Sequence, residues 1–134
     1  MRGSLQAYKK VSVDSQLSAA SPHKVIQMLM AGAIERLIQG KAAMAQGDVS
    51  VKGERLGKAL DIIINLRACL SMDEGGDIAD NLDAIYDFMI RQVSAANLDN
   101  TPEPNDDVIE LLREIKSAWD QIPSEYHNMT QATS

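Results

Sequence analysis

The residues able to do chemistry in this chain are few, and their spacing suits none of the usual reactions. His23 follows Ser21-Pro22 in the first turn of a helix and His127 lies close to the C-terminus, so both read as surface residues rather than paired ligands. No Glu-x-x-His spacing of a carboxylate-bridged metal centre occurs. Asp73, Asp77 and Asp80 recur at i, i+4 and i+7 on one helix face, but they lack the alternating ligand loop of a calcium site. Gly75-Gly76 has neither a Gly-Lys-Ser/Thr companion nor a preceding strand, so it is no phosphate cradle. Cys69, the single cysteine, has no histidine near it in sequence to activate it and reads as a packing residue at the end of an apolar helix. The expectation is a non-enzyme without metal or cofactor.

What the sequence does carry is apolar surface. One helix stops at Gly75-Gly76, and the next starts at once with apolar residues nearly all round it. Ile62-Ile63-Ile64 make the same point, because successive helical residues lie about 100° apart and three of them span about 200° of circumference. One core face cannot take all three. The excess predicts a surface for another chain.

Composition narrows the class. The chain has 134 residues, enough for one domain with a core of its own. It is 45% hydrophobic but only 4% aromatic, which favours Leu, Ile, Val, Ala and Met packed between helices over a β-sandwich. The formal charge of −6 disfavours nucleic-acid binding. Between Asp73 and Asp107 the only base is Arg91, so this stretch is either a solvated acidic face or a region that steers a basic partner. No apolar run reaches the roughly 18–20 residues of a membrane span, and no signal peptide follows Arg2, so no membrane insertion is expected. One cysteine fits a reducing cytosol, and the expected location is cytoplasmic.

The helices that must position this surface are readable from their punctuation. Residues 1–20 form a separate segment in which Leu5, Tyr8 and Val11 are spaced for a short helix. Ser21-Pro22 caps and starts the first long helix, which should end near Gly47. Gly32 and Gly40 lie within it, where each weakens a helix by roughly 1 kcal/mol but lets a neighbour approach closely. The second helix is predicted from Val51 or Lys52 to Leu70. The third runs from Asp77 to about Asn97, with a core stripe of Ile78, Leu82, Ile85, Met89 and Val93. Pro102 and Pro104 place a loop over 97–105. The fourth helix starts near Asn105 and is ended by Pro123. Residues 124–134 read as a disordered tail. The fold class predicted is an all-α, antiparallel up-and-down four-helix bundle over residues 21–123.

Several blocks, in order, carry a resemblance. They are Ala7-Tyr8; Ala20-Ser21-Pro22; Met28 to Ile34; Lys58-Ala59-Leu60-Asp61-Ile62-Ile63-Ile64-Asn65-Leu66; Gly75-Gly76-Asp77-Ile78-Ala79-Asp80-Asn81-Leu82; Tyr86-Asp87-Phe88-Met89; Ala96-Asn97; Leu111-Leu112; and Ala118-Trp119. From Ala7 to Trp119 the chain resembles the FliS family of flagellin export chaperones. It departs from the family pattern at Met30, where an aromatic is usual, at Ala31, where an acid is usual, and in an extended loop at 101–104. The resemblance implies a cytosolic bundle that holds the C-terminal, polymerisation-prone region of flagellin. It also implies prevention of premature filament assembly and delivery to the export gate of the flagellar type III apparatus, with no nucleotide or metal.

Helix-in-groove recognition is the mechanism that fits both lines of reasoning. The candidate partner-binding residues are Ile62, Leu66, Ile78, Asn81, Leu82, Ile85 and Tyr86, on a groove formed by the second and third helices. Asn81 is the polar member, able to bond a bound segment's backbone. Tyr8 is assigned to a removable cover of the groove or to the export gate. Alternative partners are another amphipathic helix, such as that of an anti-sigma factor, or a second copy of the chain. Trp119 is expected to anchor the last helix.

Overall fold

The computed structural model describes residues 21–70 and 72–126, with the side chains of 72–75 outside that description. Four long helices make the fold: α1 (Pro22–Ala45), α2 (Val49–Ala68), α3 (Met72–Asp99) and α4 (Glu103–Asp120), followed by a 3-10 turn at Ser124–Tyr126. Each helix packs on two neighbours, α1 on α2 and α4, and α3 on α2 and α4, which is the closed ring of an up-and-down bundle. The α1–α2 interface is the most extensive. The expected segment at 1–20 lies outside the described residues.

Local chemistry sets the ends. The Ser21 hydroxyl accepts from the Lys24 N–H at 3.2 Å, and Pro22 fills the first position. At the other end of α1, Gly47 takes φ +73°, its N–H donates to Met44 O at 3.2 Å, and the Asp48 N–H donates to Ala43 O at 2.9 Å. This is a Schellman closure, and glycine is the residue it needs. Asp48 then caps α2 by accepting from the Val51 N–H at 3.1 Å. α2 therefore begins at Val49 and ends at Ala68, each two residues or so before its predicted position. In α3 the backbone breaks at Gly76 (φ 53°, ψ −129°), so its long regular run begins at the predicted Asp77.

The fourth helix corrects the sequence reading. α3 continues to Asp99, and Glu103 and Pro104 belong to α4 rather than to a loop. A proline in the first turn removes only an N–H that has no intrahelical acceptor, so the helix starts through it. Residues 124–126 also form a turn, closed by the Tyr126 N–H on Pro123 O at 2.9 Å, where a disordered tail was expected. The remainder of that tail, 127–134, lies outside the described residues.

The core contains Ile26, Met30, Leu37, Leu56, Ile63, Leu66, Tyr86, Met89, Val93, Val108 and Leu112. A Cβ built on Gly40 would meet Leu56 Cδ2 and stand 2.8 Å from its Cγ, so this glycine is what lets α2 press against α1. Gly32 is different, because the nearest atom to its Cβ position is Ile62 Cδ1 at an ordinary 3.5 Å. The buried line of α3 is Ala79, Tyr86, Met89, Val93 and Ala96, so Met89 and Val93 of the predicted stripe are in it and Ile78, Leu82 and Ile85 are not. Of its two aromatics the helix has turned Tyr86 inward and left Phe88 outside, and it has carried Ile78 out to 46% exposure. Two further expectations are reversed: Cys69 is exposed, and His23 is only 2% exposed.

Candidate partner-binding surface

The ion pairs of Arg67 define the seam between α2 and α3. Its Nε donates to Asp83 Oδ1 at 2.7 Å, a terminal nitrogen donates to Asp83 Oδ2 at 3.2 Å, and the other reaches Asp87 at 3.3 Å. Arg91 joins from its own helix at 3.1 Å from Asp87. Hydrogen bonding to Arg67 holds the Asp83 carboxyl below its ordinary value, against the opposing cost of desolvation. A forked guanidinium between two carboxylates ties α2 to α3 across this seam.

The candidate residues divide around this seam. Asp83 and Asp87 face α2, and Ile85 lies about 200° from Asp83 and Ile78 about 180° from Asp87 around the helix. Ile78, Asn81, Leu82 and Ile85 therefore occupy the flank of α3 that leads toward α4. Ile78 and Asn81 are exposed, and Leu82 and Ile85 are half-buried. Ile62 is half-buried on the other side of the bundle, against Gly32 of α1. Leu66 and Tyr86 are fully buried. Burial pushes the Tyr86 phenol well above its ordinary range. The structure thus brings together four of the eight candidates, puts two inside the core and leaves Ile62 apart. Tyr8 lies outside the described residues.

α4 supplies the other wall. Lys41 pairs with Asp106 at 2.8 Å and Gln27 with Asp120 at 2.6 Å, which marks the flank of α4 that faces α1. Leu111 and Ile115 are about 140–180° round from those two aspartates, on the α3 side, and both are half-buried. An apolar band thus follows the α3–α4 seam, from Ile78, Leu82 and Ile85 to Leu111 and Ile115. Phe88, 36% exposed, extends it outward on α3. Exposed Asp77 stands on its α3 rim and exposed Asp107 and Glu114 on its α4 side, whereas Asp80 lies about 20° from Asp87 on the α2 side and Glu110 lines the α1–α4 seam. The sequence signal for this band was present in the apolar width of α3, whereas Leu111 and Ile115 carry no local mark that sets them apart from the buried Val108 and Leu112 of the same helix.

Other polar contacts were not legible. Lys52, 7% exposed, donates to Asn97 O and Asn100 Oδ1, both at 3.1 Å, and so satisfies the C-terminal end of α3. Asn105 donates from Nδ2 to Leu37 O at 3.0 Å inside the α1–α4 contact. Among the described residues there is no cluster of three metal-ligating side chains, and no helix is long and apolar enough to cross a membrane.

The profile of the family described as "Flagellar protein FliS" matches residues 4–126. A flagellar secretion chaperone FliS of Vibrio cholerae is 78% identical over 132 residues, covering 98% of this chain and 97% of that one. The flagellar secretion chaperone FliS of Salmonella typhimurium is 46% identical over 119 residues, 88% of each chain. That of Escherichia coli is 34% identical over 115 residues, 85% of each.

Proposed function

The chain belongs to the FliS family, and from that premise we propose that it is an export chaperone whose α3–α4 band holds the C-terminal region of flagellin. The observation that carries this reading is the apolar flank of α3, where Ile78 is 46% and Phe88 36% exposed beside half-buried Leu82 and Ile85. An amphipathic segment laid along this flank would bury its own apolar face and cover theirs. Segments that fold on binding lose a few kcal/mol of the interaction to ordering. That loss keeps a large contact releasable, which export requires. While bound, the segment cannot pair with another flagellin, so filament assembly is delayed until delivery to the export gate in the cytoplasm. Asn81, which is exposed, would bond backbone groups of the bound segment. The relatives' printed role is that of a chaperone, and catalysis has no part in this mechanism.

Calorimetric titration with a flagellin C-terminal peptide tests the proposal. Wild type should bind one-to-one with a negative heat-capacity change. Ile78→Asp and Ile85→Asp should abolish binding while circular dichroism stays helical. Ile62→Asp, on the far side of the bundle, should bind as wild type does. Absence of binding by the wild type would refute the flagellin assignment. Loss in Ile62→Asp with retention in Ile85→Asp would move the site to the α1–α2 side. The cover role of Tyr8 is tested separately by hydrogen exchange over residues 1–15, where protection that flagellin leaves unchanged would remove it.

A further inference from the structure

The charges around the α3–α4 band are of one sign. Asp107 and Glu114 stand about 40° and 60° round α4 from Leu111, both on its outward side, and Asp77 stands about 20° round α3 from Phe88. All three are exposed, and none enters an ion pair among the described residues. No described base shares this seam. Arg113 and Lys116 line the α1–α4 seam, and Arg91 pairs with Asp87 on the α2 side. The other described bases are on α1 and α2, the far side of the ring. Asp107 and Glu114 are seven residues apart, so they project from one line of α4 at about 10.5 Å spacing.

An acid that faces water needs no partner. Three acids that bracket exposed Ile78 and Phe88 set conditions on what can cover them. A second copy of this chain is disfavoured, because a symmetric contact brings acidic rim against acidic rim. A segment with acids beside its apolar stripe meets the same repulsion. A segment with Lys or Arg there gains twice. The aliphatic stems extend the apolar contact over Phe88 and Leu111, and the charged heads reach the carboxylates.

We infer that the α3–α4 band selects its occupant by flank charge. It takes an amphipathic helical segment whose apolar stripe is bordered by two bases seven residues apart. Asp107 and Glu114 read those bases, and Asp77 stands on the opposite edge. The inference rests on the band reading above and adds the class of segment that the band accepts.

Three synthetic helical peptides of about 18 residues, or five turns, test it. They carry one Leu/Ala stripe and differ at two flank positions seven residues apart, which hold Lys, Gln or Glu. Calorimetry against the full chain ranks them. The Lys peptide should bind about fivefold tighter than the Gln peptide and the Glu peptide about fivefold weaker, since each exposed pair adds little alone. Asp107→Asn with Glu114→Gln should abolish the ranking and leave affinity for the Gln peptide within about twofold of wild type. Glu54→Gln with Asp61→Asn removes the same charge from the exposed face of α2 and should leave the ranking intact. Equal affinities, a ranking that survives Asp107→Asn with Glu114→Gln, or one that the α2 variant erases as well would overturn the inference. If binding in those cases is still lost in Ile85→Asp and in Ile78→Asp, the band reading stands. Failure of all three peptides to bind, or binding that both isoleucine variants leave intact, overturns the band reading and this inference together. Circular dichroism checks that each variant stays folded, and Ile78 is exposed, so its substitution leaves the core untouched.

Discussion

Trp119 and His23 hold the two ends of the chain's helical part together by mutual polar contacts. The indole N–H donates to His23 O at 2.9 Å, and His23 Nε2 lies 2.7 Å from Trp119 O. A carbonyl can only accept, so Nε2 carries the proton. The rings stack 5.0 Å apart at 11°. The indole is half-buried, so Trp119→Ala should cost about 2–3 kcal/mol, less than a fully enclosed ring. Urea denaturation measures it, and an unchanged midpoint would contradict it. Arg67 and Asp83 give a second residue-scale prediction. Asp83 in the folded chain lies below its ordinary 3.8, first through the hydrogen bond from Arg67. A carboxyl depressed by folding contributes stability that is complete above its unfolded value and disappears as pH falls through the folded one. Acid unfolding of the wild type should therefore steepen below about pH 4. Arg67→Leu should flatten that limb and leave the pH 6–8 region level. An identical acid limb in the variant would show that the pair is not responsible.

At the scale of elements, the helix ends were legible because their signals are local. Ser21-Pro22, Gly47 and Gly76-Asp77 act within a few residues, and the structure places the boundaries beside them. The rotation of each helix was not legible to the same degree. Where α3 is apolar nearly all round, periodicity alone cannot choose between Ile78 and Tyr86 for the inside, and packing chose Tyr86. That choice decided which α3 candidates face solvent: Ile78 is exposed and Ile85 half-buried, while Tyr86 went inside. The contacts between His23 and Trp119, and between Lys52 and Asn97, join residues far apart in sequence, and nothing in their local spacing marks them. The α1–α2 contact yields a prediction of its own. Alanine at Gly40 gains about 1 kcal/mol of helix propensity but must displace Leu56, which is fully buried and has no free space to enter. Overpacking should win, with a net loss of about 1–2 kcal/mol. Gly32→Ala, facing Ile62 at 3.5 Å, should be neutral or stabilising. Thermal melts of the two variants shifting in the same direction would contradict this account.

For the whole molecule, the four seams of the ring are unequal, and stability should be unequal with them. α1 and α2 share the largest interface, with a glycine notch that brings their backbones close. α4 has smaller contacts on both sides: open grooves run along its seam with α1 between the polar contacts at either end, and a partly exposed apolar band runs along its seam with α3. Local opening in proteins follows the distribution of buried contacts. Amides of α4 should therefore exchange through openings of lower free energy than those of α1 and α2, whose slowest amides should report global unfolding. Trp119→Ala should widen the difference, because it releases the clamp at the C-terminal end of α4 while the α1–α2 contact stays intact. Native-state hydrogen exchange in low denaturant separates these cases. If α4 and α1 amides converge on one opening free energy in the wild type, the bundle opens as a single unit and the seams are energetically equivalent. A segment docked on the α3–α4 band should raise α4 protection, and its absence should leave α4 the first helix to exchange.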